Sequence, residues 1–374
     1  MQTKQTQPVL ILALIMGTSI AEAADTTIEL GGYIKLDAML TNYNNGQPAS
    51  TAIDDFYIPS LVPVGGEKQD TKLNTHAKQT RFNIKSNTKL ENGQVLKGLI
   101  EVDFGPGQAT ENGEATTNRS TLGLRHAVFT YGNWTFGQTW STAINGASIA
   151  DTLDFFALAE GMVDPRQVQV RYSSGPFSIG LEKPLTTLDG RIEAKDSIIP
   201  DVVLRYNMKG GYGDVSVSGI FRKLAYKTDT FDATETATGL SVAGRLNAIG
   251  KDDIRFILTA GTGLGRWVGL AMNPDAYVSG DELKVFDQLA FNAAYLHHWN
   301  DKSRTTFGVA AYKADADDDA PIYNEQSSSI HLNYLYNPVT SVTLGVEYLH
   351  AELEKSSGTK GDMDRLQFSA KYAF

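Results

Sequence analysis

The sequence predicts an all-β protein, a sixteen-stranded antiparallel β-barrel that spans a membrane. Three observations predict it. Apolar and polar residues alternate with period two along most of the chain. The connections between these stretches are by turns short and long. Aromatic side chains crowd the short-connection end. Composition agrees: 35 Gly, 16 Tyr and 16 Phe stand against 12 Pro, and mean hydropathy is −0.23. That value is too polar for a bundle of apolar helices and suits strands with two unlike faces.

Composition also excludes functions. There is no Cys, so disulfides, thiolate metal sites and Cys nucleophiles are absent. The net charge of −10 disfavours a nucleic-acid partner.

The N-terminus reads as a targeting segment. Lys4 gives a weak positive start, Pro8 to Ile15 is a short apolar run, and Ala21 and Ala23 form an A-x-A cleavage pattern. The run is too short to span a bilayer. The expected division is a signal peptide at 1–23 and one barrel domain at 24–374, with the first strand following almost directly.

Strands come next. From Ile28 to Leu40 the even positions carry Ile28, Leu30, Ile34, Leu36 and Leu40, while Lys35 and Asp37 fall on odd ones. One apolar and one polar face over about a dozen residues is a strand signature. The pattern recurs at Leu96–Phe104, Val202–Asn207, Val342–Tyr348 and Arg365–Phe374.

Short turns are expected at Asn92-Gly93, Gly132-Asn133, Ser173–Pro176, Lys209–Gly213, Asn247–Asp252, Asn300–Ser303 and Asn337-Pro338. Each carries the Gly, Asn, Asp, Ser or Pro that tight turns need. Longer polar stretches lie at 42–71, 105–118, 142–165, 184–198, 224–237, 263–282, 314–326 and 352–361. Seven short and eight long connections make fifteen, hence sixteen strands. An even count with short turns at one end and long loops at the other is an outer-membrane pattern. Tyr131, Trp134, Tyr172, Phe177, Tyr206, Tyr212, Trp299 and Tyr336 flank the short turns, as an interfacial girdle would. Phe374 stands in register with the apolar face of the last strand. It resembles the sorting signal read by the barrel assembly machinery.

GGYIKLDAM from Gly31, RHAVFTYGNWTFGQTWS from Arg125, DTLDF from Asp151 and RQVQVRY from Arg166 together resemble the DcaP-like family of porins. The resemblance implies homotrimeric sixteen-stranded channels in the outer membrane of a Gram-negative bacterium. They pass small anions, dicarboxylates among them. It also implies a third extracellular loop, here 142–165, folded inward to narrow the pore. A coiled-coil extension carried by some members is not expected here.

If the apolar parity faces lipid, the other faces water. That parity places Lys35, Arg81, Lys85, Lys97, Arg125, Arg171, Arg205, Arg245, Arg255, Arg365 and Lys371 in the lumen. It places Asp37, Glu101, Asp103, Glu182, Asp201 and Glu347 there too, so cations lead eleven to six. In a narrow channel with low-dielectric walls, lumenal sign decides ion preference more than net charge does. Arg also grips carboxylates with two prongs. The competing reading is that these Arg residues pair with lumenal acids and stiffen the wall.

Apolar residues of 142–165, such as Ile144, Leu153, Phe155 and Leu158, need burial. Its acids Asp151, Asp154, Glu160 and Asp164 are placed to face the wall. The expected anion site centres on Arg81, Arg125 and Arg166, with Lys35, Lys97, Arg171 and Arg205 as further pore cations.

The Asp315–Asp319 tract reads as a solvated loop, with a divalent cation as the alternative. His126, His297 and His350 fall on or near outward parity. No Ser is paired with them, so catalysis is not expected. No cofactor or metal is implied. The reading is a diffusion channel for small hydrophilic solutes, preferring anions. Its surroundings are outer-membrane lipid and lipopolysaccharide. The alternatives are a structural or adhesive barrel acting through its long loops, and a channel for uncharged nutrients.

Overall fold

A computed structural model describes residues 25–107, 117–188 and 192–374; the segment 1–23 read as a signal peptide lies outside them. In chain order the wall is built from Thr26–Tyr43, Arg81–Lys89, Val95–Asp103, Gly123–Tyr131, Trp134–Trp140, Arg166–Ser174, Phe177–Glu182 and Asp201–Gly210, then Gly213–Lys227, Asp232–Asn247, Asp253–Thr262, Asp287–His298, Ser303–Asp315, Asn324–Tyr336, Val342–Lys355 and Lys360–Ala373. Each is antiparallel to the next. The last strand returns to the first, from Tyr33↔Ala373 to Tyr43↔Met363. The second wall strand is interrupted at 77–80, and its outer piece, Lys72–His76, pairs with the first strand. The sheet therefore has seventeen segments and sixteen wall strands. Closure leaves no edge, which a β-structure in lipid requires because hydrocarbon offers no partner to a free N–H or C=O.

The alternation read from the sequence is the observed in–out alternation. Leu30, Ile34, Leu36, Phe307 and Leu332 are exposed on the outer surface, while Lys35, Asp37, Asn292, His331, Glu347 and Gln367 are buried inside. Tyr131, Trp134, Phe177, Tyr206, Tyr212, Trp299 and Tyr336 are exposed at the short-turn end. Some pack on one another, as Trp134 does on Tyr172 with ring centroids 4.9 Å apart.

Two of the long connections are shorter than expected. The stretches at 224–237 and 352–361 are mostly strand, leaving four-residue tips at 228–231 and 356–359. Polarity is a poor guide there. The ladder goes on beyond those polar residues because one face of each hairpin is still buried, through Leu224 and Ala237 in the first and Ala351 and Leu353 in the second.

A second correction concerns His126. It is buried on the inner face and not outward, with Nδ1 2.9 Å from Thr139 Oγ1. A register shift between Glu101 and Val102 makes room for one extra residue opposite, so Arg125 and His126 both turn inward. A bulge of this kind breaks strict period two.

A third concerns the lumen. Apolar residues of three loops reach into it from the loop side. Residues of the first long loop (Ile53, Tyr57, Val62), of 142–165 (Ile144, Met162, Val163) and of the loop after Thr262 (Leu264, Trp267, Val268) pack into one buried cluster. They meet inward wall residues such as Tyr43, Ile220, Ile257, Tyr312 and Leu349. Burying a side chain of this size contributes about 1.5–3 kcal/mol, enough to hold loops in place.

Candidate pore constriction

The 141–165 segment is pinned at its feet. Ser141 donates its backbone N–H to Pro165 O at 2.9 Å, and Thr142 donates to Glu182 Oε1 at 2.7 Å. From there it meets strand after strand on the inner face. Arg205 donates to Ile144 O at 2.5 Å, Arg255 to Ile149 O at 2.7 Å, and Arg304 to Asp151 Oδ2 at 2.6 Å. Lys35 donates to Leu153 O at 2.7 Å, and Leu153 N–H to Glu347 Oε2 at 2.6 Å. Asn292 donates to Leu158 O at 3.2 Å.

Between this segment and the wall lies a cavity of about 260 Å³. Lys35, Arg81, Arg125, Arg166, Arg304 and Lys371 line it, with Tyr33, Trp140, Phe155 and Phe156. Asp151, Asp154 and Asp164 are its acids. Six cations against three acids is a basic surface.

Pairing separates these cations. Arg125 donates to Glu101 Oε1 at 3.0 Å and to Asp103 Oδ2 at 2.6 Å. Arg81 lies 3.4 Å from the same Glu101 oxygen. Lys35 lies 3.1 Å from Asp37 Oδ1 and also donates to Gln79. These three share lumenal acids, although Arg81 Nε is buried with no hydrogen-bond partner among the described residues. Arg166 and Lys371 have no carboxylate within ion-pair distance among the described residues. Lys371 stands 5.6 Å from the Tyr33 ring centroid, and Arg81 5.3 Å from the same ring. Arg125 stands 5.2 Å from the Phe155 centroid. An aromatic face is a weak anion mimic, so it steadies a cation without neutralising it.

The acids divide similarly. Asp154 Oδ2 accepts the Tyr57 N–H at 2.8 Å and so joins the first loop to the third. Glu160 is away from the cavity, fully buried, accepting from Tyr57 Oη at 2.6 Å and from Ser329 Oγ at 2.8 Å. Asp164 stands beside Arg166, and burial pushes its carboxyl up to about 7, with that guanidinium opposing the rise.

Of the predicted pore cations, Arg81, Arg125, Arg166 and Lys35 line the cavity. Lys97, Arg171 and Arg205 do not. Arg171 is held by Trp140 O, Gln169 and Thr142 at the foot of the segment, and Arg205 by Ile144 O. Lys97 is exposed towards a short turn. Sequence reasoning misses Arg304, which adjoins a turn. Lys371 has the lumenal parity, but nothing in its local sequence singles it out.

The Asp315–Asp319 tract is partly neutralised: Lys284 lies 3.0 Å from Asp317 and 2.9 Å from Asp319. Among the described residues, His350, Asp362 and Asp364 cluster within metal-ligating reach of one another, and none of the three lines the cavity.

The sequence pattern of the DcaP outer membrane protein family matches residues 17–374. The chain belongs to the DcaP outer membrane protein family. It is an outer-membrane protein of the Gram-negative type. The outer membrane channel DcaP of Acinetobacter baumannii has the same fold, with a TM-score of 0.80 at 23% identity, over 96% of this chain and 99% of that one. OmpT of Vibrio cholerae in its trimer form gives 0.58 at 13% identity, over 93% and 99%. Salmonella typhi OmpF, in complex with daunomycin, gives 0.57 at 12%, over 93% and 97%. No curated protein sequence matches the chain. These likenesses carry the barrel and not the identity of what passes through it.

Proposed function

We propose that this barrel is a diffusion channel for small hydrophilic anions, dicarboxylates among them. The observation that carries the reading is the cavity between 141–165 and the wall, where, among the described residues, Arg166 and Lys371 have no carboxylate within ion-pair distance. A carboxylate entering so narrow a space loses water, and fixed cations replace that hydration. In this reading 142–165 is the inward-folded third extracellular loop and sets the pore's width. A homotrimer is the expected assembly, supported by the trimeric form of the OmpT neighbour. The barrel sits among outer-membrane lipid and lipopolysaccharide. Residues 1–23 are its signal peptide, and Phe374 is read by the assembly machinery. The reading involves no catalytic step.

Reversal potential in a potassium chloride gradient tests it. A potential of the sign set by chloride supports the reading, and one set by potassium overturns it. The apolar cluster reaching into the lumen from the loop side favours a second reading, a barrel that anchors or adheres through its loops. Absence of conductance steps in planar bilayers would select that alternative. Steps without ion preference would point to uncharged nutrients.

A further inference from the structure

We propose that Arg245 and Arg255 form a second anion site, at the short-turn mouth of the barrel, for a small carboxylate or phosphate anion. The two residues are direct cross-strand partners. Like charges placed opposite each other destabilise a sheet unless something compensates them. Compensation is present for one of the two. Arg255 donates to Asp253 through two bonds of 2.8 and 3.1 Å, and its remaining prong reaches Ile149 O.

Among the described residues, Arg245 has no such partner. Its other neighbour across the sheet is Asp214, which Lys209 holds at 2.9 Å and Asn145 at 3.2 Å. With Asp253 held by Arg255, and Asp214 by Lys209 and Asn145, Arg245 is left without an acid of its own among the described residues. Its Nε is buried and donates to no other described residue. An unmet charged donor is costly, more so beside a second guanidinium, and a bound anion relieves both costs.

Arg245 lies outside the cavity that Arg166 lines. It is two residues from the end of its strand at Asn247, towards a short turn. Ile149, which Arg255 grips, belongs to the same segment that bounds that cavity. An anion leaving the constriction therefore meets a second fixed charge before bulk solvent. Two stations of modest strength allow both binding and release, which conduction requires. The inference rests on the channel reading above.

The test uses the full-length protein in planar bilayers carrying chloride current, with inorganic phosphate added to one side at a time. In Arg245→Gln the phosphate concentration for half-inhibition should rise about three- to fivefold from one side only. Arg245→Lys should retain most of the inhibition, and Arg166→Gln should act chiefly from the opposite side. Heat-shifted electrophoretic mobility establishes that each variant is folded. Unchanged inhibition in Arg245→Gln from both sides, or no inhibition of the natural protein by phosphate, overturns the second site. A chloride-signed reversal potential in that case leaves the channel reading standing, whereas a potassium-signed one removes the channel reading itself.

Discussion

The backbone N–H of Leu153 donates to Glu347 Oε2 at 2.6 Å, so a wall carboxylate holds the middle of the 141–165 segment. The same carboxylate accepts from Asn333 Nδ2 at 3.1 Å and lies 3.1 Å from His331 Nδ1. The segment's position thus depends on a buried acid contributed by a strand almost two hundred residues later.

Replacing Glu347 by Leu should loosen the segment. It leaves the Leu153 N–H without its acceptor, at about 1–3 kcal/mol for the unmet group, while Asn333 Nδ2 keeps only Asp151 O, at 2.8 Å. Single-channel recordings should show larger and noisier steps than the natural protein. Quiet steps of unchanged size would mean that the surrounding apolar packing fixes the segment without this bond.

Arg166 and Arg125 should separate selectivity from stability. Arg166→Ala removes an unpaired cation and should move the reversal potential towards potassium with little change in unfolding. Arg125→Ala leaves Asp103 without an ion-pair partner among the described residues and Glu101 with Arg81 as its one remaining arginine. It should cost on the order of 3 kcal/mol, read as a lower urea midpoint. Equal shifts of reversal potential in both variants would contradict this division. Both potential shifts should shrink at high salt, where screening falls within a Debye length of about 3 Å at 1 M.

Selectivity should depend on pH through Asp164. Burial raises its carboxyl to about 7. Above that pH it is charged and offsets part of Arg166; below it the carboxyl is neutral and Arg166 acts alone. Anion preference should therefore increase as pH falls from about 8 to about 6, the range that brackets this titration. Asp164→Asn should flatten the profile at its low-pH level. A profile as steep in the variant as in the natural protein would assign the titration to another group.

Gly32 should tolerate no side chain. It stands at the seam with φ +148°, and an added Cβ would lie 2.1 Å from Arg81 O. Its carbonyl accepts from Phe374 N–H at 3.1 Å, which ties the last residue to the first strand. Gly32→Ala should destabilise the closed barrel by about 1–3 kcal/mol and lower the yield of heat-modifiable protein. A fully folded variant with the natural melting profile would show that the seam can shift.

By itself the sequence determined the wall. Period two is a local property, set by alternate Cβ directions along a strand. Ile34 and Lys35 therefore declare their faces from their neighbours alone, with no distant partner needed. Turn residues at Asn92-Gly93 and Gly132-Asn133 are equally local, and together they yield the strand count and the closed antiparallel order. The tertiary structure decided what fills the wall. Whether Arg125 meets a solute or Glu101, and whether Glu160 faces the pore or Ser329, depends on strands far apart in sequence meeting across the lumen. One extra residue opposite Glu101 turned His126 inward against its parity. The apolar cluster of Tyr57, Met162 and Trp267 forms because three loops bury their hydrophobic residues against the inside of the barrel. That energy exists only once the barrel has closed around them.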